Sequence, residues 1–242
     1  MSTSELALSF GRAAADYERG RPDWPDEGID HAIDQLGLTA DATVLDLAAG
    51  TGKLARKLVP RFHRVIAVEP DDAMRELLET IVPEADVLRG TAREIPLRAG
   101  EVDAVFIGEA FHWFARADAL DEIARVLSRR GGLVLIWYKP LDRLLPRGFG
   151  GDPRTDRQRA ASGAWKEAFS GSSFEPLRKA HFEHVRRVDR EGVLAYFASI
   201  SPIASLPDAE RHERLEQVAA QLDGDTYERH WRIDVYWTRL AA

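Results

Sequence analysis

The chain has 242 residues, 45% of them hydrophobic and 30% charged, with a formal net charge of −7 and no cysteine. Those figures are ordinary for a globular protein with a sizeable core, built as one large domain or a domain with a small cap. They exclude disulfide and thiolate chemistry, and they argue against broad capture of nucleic acid or anionic membrane, which needs a clustered surplus of Lys and Arg; only a local basic patch stays open.

In chain order, the opening MSTSELALSFGRAAADYERGRP has neither the basic start nor the sustained apolar run of a secretory signal, which points to a cytoplasmic protein. No later stretch is apolar for long enough to span a bilayer. Ile29, Ala32, Ile33 and Leu36 follow helical spacing, so Asp26 to Leu36 reads as an amphipathic helix stopped by Gly37. The buried strand ATVLDLA follows. After it the pattern predicts a helix at Lys53 to Val59, a strand at Val65 to Val68, a helix at Asp71 to Ile81 and a strand at Asp86 to Leu88. VDAVFIG is the next strand, Asp118 to Leu127 the next helix, and GLVLIWY the strand after that. Strands alternating with helices predict an α/β, doubly wound sheet that is mostly parallel, with helices on both faces.

Past Pro140 the segment PLDRLLPRGFGGDPRTDRQRAASG is rich in Gly, Pro and Arg and reads as a mobile loop or lid. FEHVRRVDR alternates like a strand, EGVLAYFASI is helical, and Leu215, Val218, Ala219 and Leu222 stripe another helix. Trp231, Ile233, Val235 and Trp237 share one face of a final strand, HWRIDVYWTRL.

The stretch VLDLAAGTGKL invites three readings. A phosphate-binding loop needs a first glycine where Leu47 stands and Ser or Thr where Leu54 stands. A dinucleotide fingerprint needs a third glycine one turn into the helix, whereas here the small residues are Ala48, Gly50 and Gly52, with Asp46 inside the strand end, where its charge repels a pyrophosphate. Twenty-three residues on, VIAVEPDDAM ends its strand in Glu69, the position of an acid that grips ribose hydroxyls. The ligand expected is a nucleoside without a bridging phosphate, carrying a positive group toward Asp46. S-adenosylmethionine meets those requirements. The bland alternative is a turn that merely joins strand to helix.

On these residues the chain resembles the class I, Rossmann-like S-adenosylmethionine-dependent methyltransferases that act on small molecules. DLAAGTG is similar to the family's first motif, with Glu69 as the ribose acid and Pro70 and Met74 flanking ribose and adenine. GTAREIPL resembles the segment that brings Thr91 and Ala92 to the adenine edge, and GEAFHWF the segment that closes the fourth strand. FGRAAADYERGRPDWP resembles the N-terminal arm that covers the cofactor with Tyr17 and Arg21. The resemblance implies a seven-stranded sheet with an antiparallel C-terminal strand. It also implies an arm over residues 1–25, a cofactor-binding core over 26–140, and a lid or cap plus the C-terminal strands over 141–242. Two departures are Arg93, where members often carry Glu, and Glu109, where they often carry Gln.

The cofactor expected is therefore S-adenosyl-L-methionine. Its methionyl carboxylate would meet the backbone N–H groups of Gly50 to Lys53, Thr51 among them, and its amino group Asp46, unless Asp46 serves to order the loop. Tyr17, Phe111 and Trp113 are candidates for a face toward the sulfonium. His112 follows the fourth strand and is a candidate base, with Glu109 a second, though His112 also fits a hydrogen-bonded structural role beside Trp113. Trp24, Tyr138, Trp165 and Tyr196, with His112 and Trp113, are the candidate acceptor pocket. No metal is expected, because His181 and His184 lie three apart with no completing ligand. The partner expected is a small-molecule methyl acceptor bound by a monomer or homodimer. A non-catalytic S-adenosylmethionine-binding regulator, or less readily a nicotinamide oxidoreductase, stands as the alternative.

Overall fold

The computed structural model describes residues 14–141 and 162–241. Helices α1 (Ala14–Gly20) and α2 (Asp26–Gln35) lead into the alternation β1 (Thr43–Leu47), α3 (Ala55–Leu58), β2 (Arg64–Val68), α4 (Asp72–Ile81) and β3 (Asp86–Leu88). There follow β4 (Val102–Gly108), α5 (Ala117–Val126), β5 (Leu127–Pro140), β6 (Arg178–Asp189), α6 (Arg190–Ser199), α7 (Ser201–Ala204), α8 (Asp208–Ala219) and β7 (Thr226–Arg239). Short 3-10 turns lie at Phe111–Trp113 and Ala164–Phe169.

The strands form one seven-stranded sheet in the order β3-β2-β1-β4-β5-β7-β6. β1 to β5 pair in parallel, and β7 runs antiparallel between β5 and β6. Strand order turns back between β1 and β4, which opens a crevice at the carboxyl ends of those strands, where open α/β sheets take their ligands.

Alternation along each strand divides the core between two faces. Val44, Val134, Ile136 and Val235 pack toward Ile29 and Ala32 of α2 on one face. Leu45, Leu47, Leu133 and Leu135 meet Leu120 and Ile123 of α5 on the other. α4 starts where the Asp71 side chain accepts the Met74 N–H, and it buries Met74 and Leu78, one turn apart.

Several boundaries differ from the sequence expectation. The helix expected at Lys53 to Val59 covers only Ala55–Leu58: Gly52 at φ 86° still belongs to the loop, and Lys53 and Leu54 form a turn between it and the helix. The helix expected to reach Leu127 ends at Val126; Leu127 pairs with Val102, and Arg130 at φ 66° shifts the register before Gly132 meets Ala104. The strand read as FEHVRRVDR is Arg178–Asp189, since the Asp189 side chain caps the Gly192 N–H and Arg190 is already helical. The final strand begins at Thr226, where Asp189 pairs with it. Most of the expected lid, residues 142–161, lies outside the described residues, as do residues 1–13 of the arm. No described helix is long and apolar enough to cross a membrane.

Candidate active site

The loop after β1 is held by its own backbone. Ala49 N–H donates to Val68 O at 3.1 Å and Gly52 N–H to Ala49 O at 3.0 Å, while Ala48, Gly50 and Gly52 all take left-handed φ values of 59°, 58° and 86°. A Cβ on Gly52 would sit 2.3 Å from Leu78 Cδ1, so the glycine lets α4 close against the loop. A Cβ on Gly50 would instead meet Met74 Sδ at 3.6 Å and Tyr17 Cε1 at 3.9 Å, which brings both residues to the same face of the loop.

Two buried acids stand behind this loop. Glu69 accepts Gly50 N–H through Oε2 and Asp71 N–H through Oε1, each at 2.9 Å. Burial pushes its carboxyl up to about 7 against those two amides. Asp46 accepts the Ala55 amide; burial, assisted by the Glu69 charge, pushes its carboxyl up to about 8. Asp46 Oδ2 is buried with no hydrogen-bond partner among the described residues. Asp46 therefore orders the loop by capping α3, and it keeps one oxygen for a donor.

The amide groups expected to face a carboxylate are partly spent. Gly50 N–H goes to Glu69 and Gly52 N–H to Ala49 O, and α3 is a four-residue helix. The Thr51 hydroxyl likewise turns to the arm, donating to Glu18 Oε2 at 2.7 Å.

Lys53, the feature that suggested phosphate, is a structural cation. It is buried and donates to Glu18 O at 2.6 Å, with Glu18 Oε1 and Asp23 Oδ1 each 3.4 Å away. Burial lowers its ammonium below the usual lysine range against the pull of both acids. Arg56 Nη1 completes the cluster at 2.8 Å from Glu18 Oε1. Glu18 is thus the peg by which α1 is fixed to the loop, and only its distance along the chain concealed it.

At the end of β4, Glu109 takes φ 54°, its Oε1 accepts the Tyr138 N–H, and its Oε2 lies 3.9 Å from Arg21 Nη1. Arg21 Nε donates to Ser199 Oγ at 3.1 Å, with its guanidinium over the rings of Tyr17 and Tyr196. Trp24 stacks on Tyr138 with centroids 4.1 Å apart, and the Tyr138 hydroxyl donates to Pro22 O at 3.1 Å. Tyr17, Arg21, Trp24, Glu109, Tyr138 and Tyr196 are therefore brought together.

Nearby, His112 is buried beside Trp113, and Trp137 Nε1 donates to its Nδ1 at 3.3 Å. In the neutral ring that bond leaves the proton on Nε2.

Other candidates lie apart or serve locally. Trp165 is in the core on the opposite sheet face, stacked on Trp137 at 4.5 Å and edge-on to Tyr236 at 5.0 Å. Phe111, too, is buried there against Trp165 and Phe169. Ala92 is buried in that cluster, while Thr91 is exposed and bridges to Glu94. Pro70 is half-buried between Glu69 and the start of α4. His181 and His184 point to opposite faces of β6, as an odd spacing on a strand requires. Sequence reasoning missed Glu18 and Ser199, whose partners Thr51, Lys53 and Arg21 lie far from them along the chain.

Residues 45–136 match the methyltransferase domain family. An uncharacterized methyltransferase of Mycobacterium tuberculosis is 47% identical over 143 residues, 59% of this chain, and the chain spans 57% of that relative's length. A second relative, an uncharacterized methyltransferase of Schizosaccharomyces pombe, is 33% identical over 228 residues, 90% of this chain and 87% of its own. In structure, the YcgJ protein of Bacillus subtilis aligns over 89% of this chain and 99% of its own at TM-score 0.58 and 18% identity, a likeness of fold. Nearly the whole length is shared with the fission-yeast methyltransferase, and the sheet order and glycine loop agree with that kinship: the chain belongs to the class I S-adenosylmethionine-dependent methyltransferase family.

Proposed function

We propose that this protein transfers a methyl group from S-adenosylmethionine to O, N or C of a small-molecule acceptor by in-line displacement. The observation that carries the reading is the Glu69–Gly50 bond at 2.9 Å, which joins the end of β2 to the glycine loop after β1 and sets a carboxylate beside an open glycine face. The residues fit the cofactor. The orphaned Asp46 Oδ2 suits an ammonium, and each Glu69 oxygen keeps a lone pair for a ribose hydroxyl after accepting one amide.

When bound, the sulfonium supplies an electrophilic methyl group. The chain's task is to orient the acceptor and exclude water, positioning that is worth up to roughly 7–11 kcal/mol of a barrier. Tyr17 and Arg21 close the arm over the loop, and Arg21 adds charge for a methionyl carboxylate where the Gly50 and Gly52 amides are committed elsewhere. With Nδ1 occupied by the Trp137 indole, His112 offers an Nε2–H donor to the acceptor. That replaces the base anticipated from its position after β4.

Calorimetric titration with S-adenosylmethionine, S-adenosylhomocysteine and NAD tests the reading. Micromolar binding of the first two, with methyl transfer to a metabolite pool, is the expected result. NAD binding with neither adenosyl compound bound would overturn it.

A further inference from the structure

β6 ends the sheet: the strand order stops with it, and it pairs with β7 alone among the described strands. It is a long edge, twelve residues over Arg178–Asp189, and every side chain on it is exposed or half-buried. Among the described residues no hydrogen bond beyond the β6–β7 pairing reaches its main chain, so alternate residues turn an N–H and a C=O outward. Proteins guard such edges with short strands, proline, bulges or rows of like charge. β6 has no proline and pairs with β7 residue for residue, and between His181 and Asp189 the acids Glu183 and Asp189 balance Arg186 and Arg187.

The order of those charges suits a copy of the same strand. His181, Glu183, Val185, Arg187 and Asp189 alternate onto the exposed face, and Val185, 50% exposed, is with Leu141 one of the exposed large apolar side chains among the described residues. Two identical antiparallel strands pair about a two-fold axis at one residue, so that i faces j and j faces i. An axis at Glu183, Arg186 or Arg187 sets like charges face to face, which costs stability. One at His184 sets Glu183 against Val185 and Phe182 against Arg186. At Val185 the pattern closes: each Glu183 faces the partner's Arg187, each Phe182 the partner's Val188, and the two valines face each other. His184 then faces the partner's Arg186, where burial, with the charge of its own Arg186 second, holds the imidazole below its usual range and so uncharged at neutral pH.

We infer that the β6 edge is a homodimer interface: a second copy of this chain adds its β6 antiparallel to the first about a two-fold axis at Val185, joining two sheets into one. Main-chain hydrogen bonds supply the affinity, and the Glu183–Arg187 pair, made twice by symmetry, sets the register. The new ladder runs from His181 to Asp189 in each copy, about 30 Å at the rise of a strand, and stops where Arg190 is already helical. β5 and β7 stand between this edge and β4, so pairing leaves the crevice between β1 and β4 untouched. The inference is therefore independent of what the chain catalyses.

The test uses the full chain, whose lack of cysteine lets a single introduced thiol report the register without background. Facing Cα atoms of an antiparallel pair lie about 4.5–5.5 Å apart, within reach of a disulfide. The two copies of residue 183 would lie roughly 13 Å apart along the strands, beyond that reach. Under mild oxidation Val185→Cys should crosslink to a dimer and Glu183→Cys should not, while a mixture of Glu183→Cys and Arg187→Cys proteins should give the mixed dimer. Sedimentation velocity at tens of micromolar should show a wild-type dimer. Val185→Lys and Glu183→Arg should each raise its dissociation constant about tenfold or more, and Glu183→Arg combined with Arg187→Glu should recover most of the loss. Thermal melts close to wild type report that each variant is folded. A wild type that stays monomeric overturns the inference. So does a dimer indifferent to Val185→Lys and Glu183→Arg, a charge swap that recovers nothing, or self-crosslinking of Glu183→Cys in place of Val185→Cys.

Discussion

Lys53 Nζ donates to the main-chain oxygen of Glu18 at 2.6 Å, so the lysine that ends the glycine loop is a bolt for the arm. A hydrogen bond from a charged donor is worth about 1.5–3 kcal/mol, and Lys53→Met should weaken arm docking by that order. Cofactor affinity should then fall roughly tenfold to a hundredfold, since the arm must close for binding. Limited proteolysis should show faster cleavage near α1, with the midpoint of global unfolding little changed. An arm equally protected in wild type and variant would show that the contact is incidental.

The raised carboxyls give the ligand-free protein a defined pH dependence. Asp46 and Glu69 move from ordinary values of 3.8 and 4.5 to about 8 and about 7, so between those limits the folded state binds more protons than the unfolded one. Stability should be greatest on the acid side of this window and fall as pH rises through it, as linkage requires. Asp46→Asn should flatten the upper part of the profile in thermal melts between about pH 5 and 8.5. Binding of a cationic ligand near Asp46 should also release protons, read as a dependence of calorimetric enthalpy on buffer ionisation. A flat stability profile in the wild type would contradict the assignment.

Gly20 is where α1 touches α6 backbone to backbone. A Cβ there would lie 2.1 Å from Tyr196 N and 2.3 Å from Ala195 C, and main-chain atoms cannot step aside as a side chain tip does. Gly20→Ala should cost about 1–3 kcal/mol through overpacking and weaken S-adenosylhomocysteine binding with it. Melting curves and titrations of the one variant measure both, and retention of full affinity would show that α1 need not dock on α6.

Trp137 sets the His112 tautomer. Nitrogen-15 NMR of labelled histidine should show the His112 proton on Nε2 in the wild type, and Trp137→Phe should let the other tautomer appear. Should the wild type already carry its proton on Nδ1, the donor role assigned to this ring is wrong.

Much of the fold was legible because its code is local. Short apolar runs such as VLDL and VFIG, bounded by turn residues, mark buried strands, and their alternation with helical stripes leaves a parallel sheet as the economical packing. Asp46 and Glu69 were readable for the same reason: each is the polar residue that ends or interrupts an apolar strand. Misjudged boundaries fall where a distant partner decides, as at Thr226, which is a strand residue only because Asp189 pairs with it.

By itself the sequence determined the order of elements, the acids at the strand ends and the glycine turn between them, since these depend on neighbours a few residues away. The tertiary structure alone decided that Lys53 holds Glu18, that Trp165 faces away from the arm, and that Arg186 meets Arg229. Periodicity states which face a side chain takes, but strand pairing and helix docking choose what meets it there, and those partners come from segments far apart in the chain.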